Sequence, residues 1–97
     1  MSDSTYRLTI GGESVEGAAG TYDIINPATE EVAGRAPEAS VEQANAAVEA
    51  AAAAFEGWSR TSPEERAALL ERAADLIDEH RGEIVPVLQA ETGATTV

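Results

Sequence analysis

Few side chains in this 97-residue sequence are equipped for chemistry. There is no cysteine, which removes a thiolate nucleophile, a disulfide framework and any zinc site of the thiolate type. All six basic residues are arginine, so a phosphate-loop lysine, a Schiff base and an amine nucleophile are excluded as well. His80 is the single histidine and cannot supply a paired-histidine helix or a facial triad. Its place among charges near a helix end reads as a solvated last-turn residue. The carboxylate pairs Glu30-Glu31 and Glu64-Glu65 are chain neighbours that need not face one cleft; they read as a solvated turn and a helix N-terminus. Gly11-Gly12 and Gly17–Gly20 are the glycine clusters, and neither stands between a strand and a helix start as a dinucleotide cradle requires. They read as turn and loop. Read from its residues alone, the chain assembles no active site.

Charge excludes further classes. Eighteen acids against six bases leave a net charge of −12. That field repels a nucleic-acid backbone and an anionic membrane surface. The opening MSDSTYR is polar and lacks the apolar stretch of a signal peptide. No segment approaches the ~20 apolar residues of a membrane span, since Ala50–Ala54 is short and bracketed by Glu49 and Glu56. A cytoplasmic location is the expectation, and the acid excess without lysine suits a surface that holds water at high salt.

The elements that must carry these residues fit one domain at most. Alanine makes up 20 of the 42 apolar residues, and Leu, Ile, Val and Phe together number 18 of 97. Beside a charge of −12, that fraction of large side chains predicts a thin core that folds marginally alone. Residues 1–39 read as strands and turns. Tyr6–Ile10 alternates, Gly11-Gly12 turns the chain, and Glu13–Glu16 returns. Gly17–Gly20 reads as a flexible joint. Thr21–Ile25 is extended up to Asn26-Pro27, and Val32–Ala36 is a further short strand closed by Pro37.

From Ser40 to Val97 the period is helical. Ser40 and Gln43 form a capping box, Ala44, Val48, Ala51, Phe55 and Trp58 make one apolar stripe, and Gly57 marks the end of the helix. Phe55 and Trp58 read as core or interface anchors. Ser62 caps a second helix with Pro63 at its first position, and Leu69, Leu70, Ala73, Leu76 and Ile77 line the face it should bury, in a pair with the first helix. A third helix is predicted from about Glu83 to Glu91, with Pro86 set to kink it unless it starts within a residue of the proline. Gly93 stops it.

Taken in order, these landmarks resemble the N-terminal segment of the aldehyde dehydrogenase superfamily. The opening strand runs into Ile10-Gly11-Gly12-Glu13, and Ile24-Ile25-Asn26-Pro27-Ala28-Thr29 follows. Then come Ala39-Ser40, the Ala-rich helix closing in Trp58-Ser59, Pro63 with Glu65-Arg66, the Leu70 to Ile77 helix and Glu91-Thr92-Gly93. The resemblance implies an α/β fragment: a β-hairpin and short strands followed by two to three helices, with residues 1–97 the opening part of a cofactor-binding domain.

The resemblance also implies a function, the oxidation of an aldehyde to a carboxylate with NAD or NADP. In that family a cysteine attacks the aldehyde, hydride passes to the nicotinamide and a glutamate activates water. Those groups lie downstream in the family and have no counterpart here, so this chain alone is expected to be inactive and to bind no cofactor. It reads as the product of a truncated, split or frameshifted gene. Its implied partners are the remainder of the dehydrogenase and, in the family, an aldehyde substrate and further copies in a homo-oligomer. The resemblance carries one site, a monovalent-cation position formed by the Ile25 carbonyl and the Glu91 carboxylate with ligands beyond Val97. Where many members continue the Gly93 position with lysine, this chain has Ala94, a departure that the branch resembling aromatic-aldehyde dehydrogenases tolerates. A rival reading from another class is a small acidic helical interaction module, resting on the Ala-rich helix pair.

Overall fold

Gly11 and Gly12 both adopt positive φ, 59° and 82°, the geometry of a two-residue turn whose twist matches the strands it joins. They connect β1 (Leu8–Ile10) to β2 (Glu13–Val15), paired antiparallel with Leu8 opposite Val15. A computed structural model describes residues 5–95, and in it this hairpin is followed by β3 (Thr21–Ile25), β4 (Val32–Pro37), α1 (Val41–Ser59), α2 (Pro63–Glu79) and α3 (Arg81–Thr92). The class is the one expected, short antiparallel strands and then three helices.

The β3–β4 turn is built by Asn26. Its side-chain oxygen accepts from the Ala28 and Thr29 amides at 2.9 and 3.3 Å, while its backbone bonds both Glu30 and Glu31. Past the turn Ile25 faces Val32 and Ile24 faces Gly34, so Ala33 is the extra residue of a bulge. Ala33 and Gly34 are the only described residues that are buried. The other edge of β4 takes the start of the chain, where the Tyr6 amide donates to the Arg35 carbonyl at 2.9 Å.

Ser40 and Gln43 form the predicted capping box: the Ser40 hydroxyl accepts from the Gln43 amide and the Gln43 side-chain oxygen from the Ser40 amide, both at 3.1 Å. α1 runs two residues past Gly57. Its end is made by the Ser59 hydroxyl on the Glu56 carbonyl and the Thr61 hydroxyl on the Trp58 carbonyl, so the glycine is an interior residue. At α2, Ser62 caps through the Glu65 amide at 3.1 Å, with Pro63 at the first turn. α3 begins at Arg81, earlier than Glu83, because the His80 carbonyl accepts from the Glu83 and Ile84 amides at 3.0 Å and closes a turn upstream of Pro86. The proline is thus inside the helix, where it removes the bond to the Gly82 carbonyl. Gly93, with φ 74°, ends α3 as predicted.

Packing departs most from the sequence reading. The hairpin lies on α1, where Gly11 sits against Ala50, and the alanines of that helix face let backbone approach closely. α3 packs on β3 and β4. α2, however, contacts α3 and makes no substantial contact with α1 or the strands. Leu69, Leu70, Leu76 and Ile77, expected in a buried face, are all exposed. An apolar stripe states that a face is apolar, and the covering element need not be the next one in the chain. The shape records this openness: the Cα radius of gyration is 16.7 Å, against about 12.5 Å for a compact domain of this length. The least Cα extent is 15 Å, room for no more than two packed layers of secondary structure.

Candidate functional site

The residues with chemical potential are dispersed by this fold. Glu30 and Glu31 lie in and beside the exposed β3–β4 turn, with Glu30 at φ 63°. Glu64 and Glu65 lie in the exposed first turn of α2, where the helix dipole favours them. His80 occupies the α2–α3 junction, exposed, with Nδ1 3.3 Å from the Glu83 carboxylate. Among the described residues no three His, Cys, Asp or Glu side chains gather into a metal-binding group.

The glycine clusters are structural. Gly17–Gly20, read as a flexible joint, is instead held: the Ala19 amide donates to the Glu38 carbonyl at 3.0 Å and the Glu38 amide to the Gly20 carbonyl at 2.8 Å. A β-carbon on Gly17 would lie 2.5 Å from the Glu38 carbonyl oxygen, so backbone already fills the space a ligand would need there.

One side chain does more than its sequence position announces. Besides closing the capping box, Gln43 accepts from the Ala18 amide at 2.8 Å and donates through Nε2 to the Glu16 carbonyl at 2.8 Å. A single amide side chain therefore ties the start of α1 to the β2–β3 loop. Glutamine at the third helical position signals the local half of this arrangement, and nothing local signals the other half. Tyr6 was also missed: its hydroxyl is buried without a hydrogen-bond partner, beside a groove lined by Arg7, Glu16, Gly17 and Thr21.

The two residues of the cation reading sit on neighbouring segments. Ile25 ends β3 and Glu91 lies in the last turn of α3. The segments meet where Gly93 approaches Pro27, whose Cγ would be 3.0 Å from an added β-carbon. Glu91 is half-buried and lines a shallow groove along α3 with Glu83, Ile84, Val87 and Leu88.

What the fold presents in quantity is uncovered apolar surface. Val41, Val48, Phe55 and Trp58 are exposed along α1, Phe55 by 67% and Trp58 by 44%. Among the described residues no helix is long and apolar enough to cross a membrane.

Comparison with known proteins places this geometry. The family model described as aldehyde dehydrogenase family matches residues 14–97. A 1-pyrroline-5-carboxylate dehydrogenase 2 from Bacillus subtilis is 51% identical over 89 residues, covering 91% of this chain and 17% of the relative. A vanillin dehydrogenase from Corynebacterium glutamicum is 43% identical over 94 residues, covering 96% of this chain and 19% of the relative. Among solved structures, an NAD-dependent benzaldehyde dehydrogenase from Corynebacterium glutamicum superposes with a TM-score of 0.84 at 41% identity, over 92% of this chain and 20% of that one. The chain spans about a fifth of the length of the relatives it matches.

Proposed function

Since the chain belongs to the aldehyde dehydrogenase family, we propose that it serves as the opening segment of an NAD(P)-dependent enzyme that oxidises an aldehyde to a carboxylate. The observation that carries this reading is the superposition on a benzaldehyde dehydrogenase at a TM-score of 0.84, strands and turns included. An interaction module resting on α1 and α2 alone leaves those strands without a reason. In this reading residues 1–97 belong to the cofactor domain, and the thiolate, the water-activating carboxylate and the cofactor cradle come from outside them.

In this reading the cofactor cradle is not built by α1 or α2. Among the described residues the N-terminus of α1 is occupied by Ser40 and Gln43 with Glu42 beside it, and that of α2 by Ser62 with Glu64 and Glu65. At both starts a capping hydroxyl takes one amide and glutamate side chains stand where an anionic phosphate would approach. The work of this segment is positional: the Asn26 turn, the Gln43 clamp and the Gly93–Pro27 contact set the relative places of hairpin, strands and helices. As part of the same proposal, the Ile25 carbonyl and Glu91 carboxylate are two oxygen donors toward a monovalent cation, completed from outside the described residues. Support for that assignment is the meeting of the two segments at Pro27 and Gly93.

A chimera tests the proposal. This chain replaces the matching residues of the Bacillus subtilis relative, and NAD reduction is followed with that enzyme's own substrate. Turnover is expected in the chimera and none from the 97-residue chain alone, which has no thiolate. A folded chimera without turnover, or cofactor reduction by the lone chain that is lost on heating, overturns the reading. Glu91→Gln in the chimera should reduce the dependence of melting temperature on potassium; an unchanged dependence removes the cation assignment.

A further inference from the structure

At about 100° per residue, the side chains of α1 divide into three faces. Ala47, Ala50 and Ala54, with Ala51 at their border, meet the hairpin. Glu42, Glu49 and Glu56 share a second face, each seven residues from the last. The third face is apolar: Val41, Ala44, Val48, Ala51, Phe55 and Trp58 alternate spacings of three and four, the seam pattern of a coiled coil. Its centre lies roughly 130° round the helix from the glutamates and roughly 100° from the hairpin. All four of its large side chains are exposed. The residues that border it carry no charge: Asn45, Ala52 and Ser59 on one side, Ala47 and Ala54 on the other.

We infer that two copies of the 97-residue chain pair through this seam, antiparallel about a two-fold axis level with the Glu49–Ala50 bond. In that arrangement Val41 faces Trp58, Ala44 faces Phe55 and Val48 faces Ala51, so each large side chain of the middle layers meets a small one. A parallel pair stacks Trp58 on Trp58 and Phe55 on Phe55 and sets alanine against alanine, wide at one end and voided between. The glutamates point away from the contact, so the charge of −12 opposes pairing at a distance and not across the seam. In molar salt, where the screening length is about 3 Å, that opposition is largely removed. Six seam positions cover less than the about 800 Å² that a standard interface takes from each partner. The pair is therefore weak, with a dissociation constant of about 10 μM or more, and the dilute chain is a monomer with Trp58 open to solvent. Pairing needs only the 97-residue chain, and turnover by the chimera neither requires nor excludes it.

Sedimentation equilibrium of the chain in molar salt tests the pairing. As concentration rises through the micromolar range, the apparent mass should climb from 10.1 kDa to twice that value and stop, because a two-fold contact closes on itself. Val48→Asp, at the middle of the exposed seam, should weaken pairing by at least about tenfold with helix content unchanged. Ala46→Gln, on the far face of α1, should pair like the parent. Orientation is read by cross-linking, since the chain has no cysteine of its own. Ala51→Cys stands about 4.5 Å along the axis from its symmetry mate and should be joined by a short bismaleimide; Ala44→Cys stands about 16 Å from its own and should not. If Val48→Asp loses helix, the two cysteine variants decide alone. A monomer at every concentration, assembly beyond a dimer, a dimer indifferent to Val48→Asp, or equal cross-linking at both positions overturns the inference. So does a monomer with Trp58 shielded, which identifies α2 as the cover of the seam.

Discussion

Replacing Gln43 with alanine removes three hydrogen bonds at once: those to the Ser40 amide, the Ala18 amide and the Glu16 carbonyl. The freed groups are exposed or half-buried, so water replaces the lost partner and each bond contributes only about 0.5–1 kcal/mol net. Alanine recovers a few tenths of a kcal/mol as the better helix former. The expected loss is about 1–2.5 kcal/mol. For a domain of this size, about 1.5 kcal/mol lowers the melting temperature by roughly 6–12 °C. Two companion variants separate the local from the long-range part. Ser40→Ala removes only the helix cap, for about 1 kcal/mol. Gln43→Glu keeps both acceptor bonds and places a favourable charge at the helix start, but sets an anionic oxygen against the Glu16 carbonyl in place of the Nε2 donor. Its loss should fall between the parent and Gln43→Ala. Urea titration of the chain in molar salt, followed by far-UV circular dichroism, orders the set. If Gln43→Ala is no worse than Ser40→Ala, the bonds to residues 16 and 18 contribute nothing and the clamp is an idle contact.

Gly17→Ala should destabilise by about 1–3 kcal/mol because its β-carbon meets the Glu38 backbone at 2.5–2.9 Å, and backbone cannot give way; an unchanged urea midpoint would falsify that contact. Gly93→Ala, at φ 74° and 3.0 Å from the Pro27 ring, should lose about 1–2 kcal/mol and shorten α3, which amide exchange at Gln89–Thr92 would report as lost protection. Helix content of the lone chain should rise with salt as repulsion within a −12 chain is screened, and identical melts in low and molar salt contradict this. Trp58, the only indole and 44% exposed, should be quenched by iodide in the lone chain, and a blue-shifted, shielded emission tells against an open apolar face on α1.

The features legible in the sequence are those whose physical cause lies within a few residues. Gly11-Gly12 turns a hairpin because two adjacent glycines accept positive φ. Asn26-Pro27 ends a strand because the asparagine side chain caps its own turn and the proline bars helix before it. Ser40 with Gln43, Ser62 with Pro63, and Gly93 mark helix ends through short-range bonds or backbone freedom. The ordered run of these marks was enough to place the family. Local rules failed where a second local bond competed: hydroxyls at Ser59 and Thr61 carry α1 past Gly57, and the His80 carbonyl starts α3 ahead of Pro86.

Tertiary structure alone decided the rest. That Gln43 reaches residues 16 and 18, that Gly17 is pressed against Glu38, and that Pro27 meets Gly93 all join segments separated by some twenty residues or more. The same holds for the question of cover. Val48, Phe55, Leu70 and Ile77 are apolar in the sequence and the spacing puts them on helix faces, but burial is a property of two surfaces. The sequence specifies one of them. Only the fold reveals that α1 and α2 do not supply each other with the second.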